Sequence, residues 1–418
     1  MSHDRIMFPR SIRPIVVEAL DDSRIVFIAG ARQVGKTTLA SSIITDERPM
    51  RFFTLDDRAT REAALSDPAG FVAGMNGPAF IDEIHRAPDL LLELKKAVDP
   101  PRGDTSPGRF LITGSANILA SKKIQDALTG RIDRVRMWPL SQSEIQGGSI
   151  NIVDELLAGR APQVTGAVVG HQAFVPIVAT GGYPEAGLRG SGRPRSRWFS
   201  NYIETTIDRD LKEIADAQRI GDMGRLLRLL ATQSANLVNY SKIARRLEMD
   251  HKTAQHYTTI LEQMFLVHRL SAWRPGLGAR EATTQKVYIT DAAMLAYLLG
   301  ASEARIDTDD QVTGKICETF VMTEVMKHAS WALEQVRIYH YQRPNADIDL
   351  IIENQRGDIA AIEVKAAATL TEDDWQTIAK LRDARPDRFA AGIVIYSGEQ
   401  TVPLGDRLWA VPYAGLWT

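Results

Sequence analysis

Residues 24–38 read Arg-Ile-Val-Phe-Ile-Ala-Gly-Ala-Arg-Gln-Val-Gly-Lys-Thr-Thr. An apolar, β-branched run thus ends in a glycine turn, and a helix-forming stretch follows it. The run has no polar alternation, so it predicts a strand covered on both faces, as in a parallel sheet packed between helices. Gly30 and Gly35 have four residues between them and are followed by Lys36 and Thr37, the pattern G-x-x-x-x-G-K-[ST]. Between a strand and a helix, that pattern is a phosphate cradle. The backbone from Gly30 through Ala31, Arg32, Gln33, Val34, Gly35, Lys36, Thr37 and Thr38 forms the expected nucleotide-binding loop. Gly30 and Gly35 lack a Cβ, which lets the backbone approach phosphate, and the helix N-terminus adds partial positive charge. Lys36 can reach the β- and γ-phosphates, and the Thr37 hydroxyl can bind Mg²⁺. ATP and Mg²⁺ are therefore the expected ligands.

Further strands are expected at 51–57, 78–83, 109–115 and 133–140, with helices over 36–45 and 88–99. Alternating strands and helices place this part of the chain in the α/β class. Phe80-Ile81-Asp82-Glu83 is an apolar strand ending in two carboxylates. Asp82 is expected to hold Mg²⁺ beside the loop, and Glu83 to act as general base on the attacking water. The next strand ends at Thr113-Gly114-Ser115, where Ser115 and Asn117 are both candidates to orient that water. Arg131 reads either as an arginine finger on a γ-phosphate or as half of a surface ion pair.

Composition narrows the classes. The 418 residues carry 50 Lys and Arg against 52 Asp and Glu, which excludes a globally basic nucleic-acid binder but not a local basic patch. The single cysteine, Cys317, excludes an internal disulfide or a cysteine-cluster zinc site. No apolar run reaches the ~18 residues of a membrane span. A cytoplasmic protein with no membrane partner is expected.

The segments GARQVGKTT, FIDEIHRAPDLLLELKKAVD, FLITGSANIL, LTGRIDRVRMWPLSQSEI and GGYPEA occur in that order. Together they resemble the prokaryotic AAA+ ATPases that carry a C-terminal domain of unknown function 4143. The resemblance covers nearly the whole chain. It implies a AAA+ core with Gly30–Thr37 as Walker A, Asp82 and Glu83 as Walker B, and Ser115 or Asn117 near the sensor position. It also implies a homo-oligomer, of which a hexameric ring is one form. Ala31 stands where these proteins usually have Pro, and His85 where Gln is common.

The middle of the chain reads as helical, over 198–216, 226–236, 240–248 and 252–263. A hairpin follows from 265–273 to 286–290 through a turn at 275–279. Between Arg219 and Arg274 nine Lys and Arg outnumber four Asp and Glu, a local excess of five positive charges. Three helices and a hairpin are the order of a winged helix. Arg245 and Arg246 on one helix, and Lys252, Thr253, Gln255 and His256 at the start of the next, are side chains that reach phosphates or base edges. His268, Arg269 and Arg274 would lie on the wing. The Gly- and Pro-rich segment 190–197 reads as a solvated linker. A winged helix serves equally as a protein-binding module, so DNA is one partner reading and a protein the other.

The last third contains Asp349 in an apolar strand and, on a second strand, Glu363 and Lys365, which share a face. This D-x₁₃-E-x-K spacing resembles the PD-(D/E)xK nuclease fold. The resemblance implies that Asp349 and Glu363 hold a metal, with Glu318 as a third ligand and Lys365 assisting. The expected architecture is thus an α/β P-loop AAA+ parallel sheet, a helical and winged-helix middle, and a restriction-endonuclease-like α/β end. The expected domains are 1–165, 166–218, 219–295 and 296–418. The expected function is ATP-driven work on DNA, branched or damaged DNA included. An ATP-gated metal-dependent nuclease and a nucleotide-switched regulator of a protein partner are the alternatives.

Overall fold

Every residue of β1 (Ile25–Gly30), β3 (Ala79–Asp82) and β4 (Phe110–Gly114) is buried. Apolar side chains on both faces of a strand need cover on both faces, and helices on either side of a parallel sheet supply it. With β2 (Arg51–Thr54) and β5 (Ile132–Met137) these strands form one sheet in the order β2-β3-β4-β1-β5. All neighbours run parallel. The strand expected over 51–57 stops at Thr54, because Asp57 instead caps the helix Arg58–Ser66, accepting the Thr60 N–H at 2.8 Å.

The computed structural model describes residues 8–44, 48–101, 103–114, 130–164, 169–214, 220–274 and 285–418, with only the backbone of 209–214 and 220. The chain divides into two compact units. One comprises Arg10–Pro139 with Gln263–Phe265, and the other essentially the remainder. Apart from Gln263–Phe265, the residues expected as three modules over 166–218, 219–295 and 296–418 lie in one unit.

In that second unit, helices span Arg193–Ile214, Ile220–Thr232, Tyr240–Leu247 and His251–Gln263. The segment 190–197, expected as a linker, instead opens the first of these, with Pro194 in the opening turn. The helix expected over 226–236 ends at Thr232 because the chain is drawn into a sheet. Ala235, at φ 67°, donates its N–H to Val287, and Asn236–Leu237 form β6. β6, β7 (Val267–Leu270) and β8 (Lys286–Ile289) make an antiparallel sheet in the order β6-β8-β7. The turn expected at 275–279 lies outside the described residues.

A six-stranded sheet follows, in the order β13-β14-β12-β11-β10-β9. Its strands are β9 (Val336–Arg343), β10 (Ala346–Asn354), β11 (Ile359–Val364), β12 (Phe389–Tyr396), β13 (Val402–Gly405) and β14 (Leu408–Pro412). β11, β12 and β14 run parallel, and the outer pairs are antiparallel. Ile378 and Leu381 of the helix Asp373–Ala384 close a core with Ile348, Ile351, Ile359 and Phe389.

The helix Asp310–Ala329 is buried along most of its length, polar residues included. Glu324 accepts the Gln142 N–H at 2.8 Å and the Lys327 ammonium at 2.6 Å. Lys327 also donates to the Leu140 carbonyl at 2.9 Å. His328 accepts the Ile152 N–H on Nδ1 at 3.0 Å. Burial, helped by Lys327, brings the His328 pKa down to about 3. Gly181 and Gly182 of GGYPEA approach Asp291 closely, and Gly182 donates to its carboxylate at 2.8 Å. Among the described residues no helix is long and apolar enough to cross a membrane.

Candidate functional site: a phosphate loop, a basic helical face and a carboxylate pocket

The loop after β1 ends on Gly35, whose φ of 94° a residue with a Cβ rarely adopts. Gly30 is required for a different reason than phosphate approach. A Cβ there would stand 2.3 Å from the Met137 carbonyl oxygen in neighbouring β5, so packing between strands excludes one. The helix Lys36–Ile43 starts at the loop. Lys36 is buried, and its ammonium donates to the carbonyls of Gly30 at 3.0 Å and Ala31 at 2.8 Å. Arg10, which sequence reasoning missed, donates to the Val34 carbonyl at 2.7 Å and to the Trp138 carbonyl at 2.7 Å. It thereby holds the loop to the end of β5.

Asp82 ends β3 level with the loop. Its Oδ1 accepts from Thr37 Oγ1 at 2.9 Å and from Thr113 Oγ1 at the end of β4. Burial raises the Asp82 pKa, and the two hydroxyls partly offset it. Sequence reasoning also missed Thr113. Its only signal is one hydroxyl at the end of an apolar strand. Glu83 follows in the left-handed region, at φ 56°. Its carboxylate stands 3.0 Å from His85 Nδ1, while His85 Nε2 lies 3.5 Å from an Arg32 guanidinium nitrogen. Burial alone would raise the Glu83 pKa, but His85, Lys36 and Arg32 bring it down to about 2. Glu83 is thus charged at neutral pH, with its basicity lowered by these cationic neighbours. The residues fit a nucleotide with its Mg²⁺: a cation, a hydroxyl and two carboxylates converge on a turn built for close approach. Ser115 and Asn117 lie outside the described residues.

Arg131 is at the other edge of this sheet. β1 pairs Ile25 with Ile132 and Gly30 with Met137, so Arg131 lies beside the start of β1. Five residues of strand, ~17 Å, separate that level from the loop. There Arg131 pairs with Asp99, Nε to Oδ1 at 2.5 Å, and holds the Asp99 carboxyl below its usual range. It cannot reach the loop that follows β1 in its own chain.

On the helical face, Ile243, Ala244 and Leu247 are buried while Arg245 and Arg246 are exposed. Lys252, Gln255 and His256 are exposed on the next helix. Two expected contacts are engaged within the fold. Thr253 donates its N–H at 2.9 Å and its hydroxyl to Asp250, which caps that helix. Arg269 pairs with Glu262, Nε to Oε2 at 2.8 Å. Both corrections have one cause: Asp250 and Glu262 lie within a few residues and reach them first.

In the C-terminal sheet, the register that pairs Leu350 with Ile362 carries Asp349 opposite Glu363. Lys365 stands 3.1 Å from Glu363 and 3.5 Å from Asp374. Glu318 joins them from the helix Asp310–Ala329. The expected metal set of Glu318, Asp349 and Glu363 meets a cation of the chain's own. Among the described residues no three His, Cys, Asp or Glu side chains are arranged to hold one ion. Lys286 of β8 places its ammonium 2.8 Å from Glu318 and 3.0 Å from Asp349 instead. The second Asp349 oxygen accepts the Val364 N–H at 3.0 Å. Lys286 was legible only as one charge at the head of an apolar strand.

Comparison with known proteins follows the same division. Residues 22–146 match the family model described as an AAA domain. Residues 171–305 match a domain of unknown function, DUF8612, and residues 313–416 another, DUF4143. The chain is 29% identical to the uncharacterized proteins Rv2008c of Mycobacterium tuberculosis and Mb2031c of Mycobacterium bovis, over 398 residues. That alignment covers 94% of this chain and 81% of each relative. The uncharacterized protein MJ1544 of Methanocaldococcus jannaschii is 20% identical over 317 residues, 74% of this chain and 68% of that one. Among solved structures, a signal transduction ATPase with a tetratricopeptide repeat sensor from Pyrococcus horikoshii has a TM-score of 0.29 at 12% identity. It covers 77% of this chain, which spans only 46% of it. A RuvB mutant from Thermotoga maritima has a TM-score of 0.29 at 15% identity, covering 63% of this chain and 90% of its own. At such scores the fold rests on strand order and register.

Proposed function

We propose that this chain, which belongs to the AAA-domain proteins carrying a C-terminal DUF4143 domain, hydrolyses ATP to do work on DNA. The observation that carries the chemistry is the convergence of Lys36, Thr37, Asp82 and Glu83 on one turn. Lys36 and the loop N–H groups bind the phosphates. Thr37 and Asp82 hold the Mg²⁺ that accompanies ATP, and that ion supplies neutralising charge for the transferring phosphoryl group. Glu83, charged at neutral pH, accepts the proton of the attacking water. His85 keeps the Glu83 carboxylate oriented in this state.

Arg131 serves the γ-phosphate of a neighbouring subunit, which makes a homo-oligomer the working form. Support for this comes from its level at the far edge of the sheet. DNA is met by Arg245, Arg246, Lys252, Gln255 and His256, exposed on consecutive helices that bury their apolar faces. The engagement of Lys286 by Glu318 and Asp349 speaks against a metal-dependent nuclease as the alternative. ATP turnover measured alone and with single-stranded, duplex and branched DNA tests the reading. Stimulation by one of these DNAs is expected. Turnover indifferent to all three would leave the regulator of a protein partner as the better reading.

A further inference from the structure

The pocket between β8, β10 and the helix Asp310–Ala329 is arranged round a positive charge. Lys286 and Tyr288 stand two residues apart on β8 and so share a face. Both point at Glu318: the Lys286 ammonium at 2.8 Å and the Tyr288 hydroxyl at 2.7 Å donate to the same carboxylate oxygen. The same ammonium reaches Asp349 at 3.0 Å. Side-chain exposure is 11% for Lys286, 17% for Glu318 and 9% for Asp349, so water screens these charges little. Glu363 adds a third carboxylate, with Lys365 beside it.

We infer that Lys286 is the resident cation of this pocket, a tethered ammonium standing where Glu318 and Asp349 would otherwise hold a divalent ion, and that it locks β8 to the six-stranded sheet. One ammonium joined to two carboxylates on separate elements does what a bridging metal does. It offsets their repulsion and fixes their spacing. Longer contacts and a single charge leave the pocket under-neutralised. Burial and the nearby Asp349 charge accordingly push Glu318 up to about 8, and the two carboxylates keep Lys286 protonated. Without Lys286, three carboxylates would face one lysine, and a divalent ion becomes the natural replacement.

The test uses the full chain without nucleotide and Mn²⁺ as the probe, followed by loss of the free-ion paramagnetic resonance signal and by thermal unfolding. Wild type should take up no Mn²⁺ that depends on Asp349. Lys286→Ala should take up one Mn²⁺ per chain at least about tenfold more tightly and should melt several degrees higher with Mn²⁺ than without it. Adding Asp349→Asn to Lys286→Ala should abolish that uptake. Lys286→Ala combined with Glu318→Gln and Asp349→Asn removes the repulsion, and it should fold without any cation. Wild-type Mn²⁺ uptake that Asp349→Asn removes would overturn the inference. So would a folded Lys286→Ala protein that takes up no Mn²⁺. A Lys286→Ala chain that stays unfolded in Mn²⁺ while the triple variant folds would also overturn it, because the pocket would then accept lysine alone.

Discussion

Thr37 and Asp82 are joined by a hydrogen bond of 2.9 Å, although 45 residues separate them in the chain. The bond brings the phosphate loop and the acidic end of β3 to one point. Thr113 approaches the same Asp82 oxygen from β4. The helix that follows β1 and the ends of β3 and β4 thus contribute one group each at the same end of a parallel sheet, where ligand sites beyond the carboxyl ends of strands lie.

Lys36→Ala is expected to lower ATP turnover by at least about a hundredfold and to weaken nucleotide binding, since the phosphates lose their buried ammonium. Glu83→Gln should bind ATP normally yet hydrolyse it about a hundredfold more slowly. Nucleotide binding and single-turnover rates separate the two effects. Near-normal turnover in Glu83→Gln would remove Glu83 from the role of base.

Arg131→Ala should lower turnover while leaving ATP affinity intact, because a finger acts on transition-state charge. Asp99→Asn releases the guanidinium and should retain activity. Mixing Arg131→Ala with Lys36→Ala subunits should restore part of the rate, each supplying what the other lacks. Equal losses in Arg131→Ala and Asp99→Asn, with no rescue on mixing, would reduce the pair to a structural contact.

Lys252→Glu with Arg245→Glu should weaken DNA binding and flatten its dependence on salt. Each lost phosphate contact removes roughly 0.9 from the slope of log affinity against log salt. Binding titrations between about 50 and 200 mM salt measure this. An unchanged slope would move the DNA surface elsewhere.

The buried His328 makes a pH prediction. Its folded pKa, about 3, lies below the ordinary 6.5, so the folded chain binds the proton less readily than the unfolded one. Its contribution is complete above about pH 6.5 and is lost as pH falls from there towards about 3, by about 1.4 kcal/mol per unit. Denaturant unfolding of the second unit at stepwise lower pH should fall more steeply for wild type than for His328→Gln. Parallel profiles would show that His328 does not set the acid sensitivity.

The glycine turn after β1 and the two carboxylates at the end of β3 were legible because their signals are local. A glycine at positive φ, a lysine at the start of a helix and a carboxylate at the end of an apolar strand each follow from a few neighbouring residues. The alternation of strands and helices fixed the class for the same reason. Strand ends and helix starts were less legible, since Asp57 and Ala235 act through partners rather than propensity.

Sequence by itself therefore determined that the glycine turn from Gly30 to Gly35 sits between a buried strand and a helix. Tertiary structure alone decided what stands beside it. The order β2-β3-β4-β1-β5 brings Thr113 to Asp82, the parallel pairing of β5 with β1 puts Arg131 at the end of the sheet away from the loop, and no local rule encodes either. The carboxylate spacing around Asp349 and Glu363 was visible in the sequence, but the cation between Glu318 and Asp349 was not. Lys286 reaches them across 32 and 63 residues, and only the packing of one sheet against another sets such a contact. Backbone propensity acts over a few residues, whereas charges buried at low dielectric select partners by distance in space.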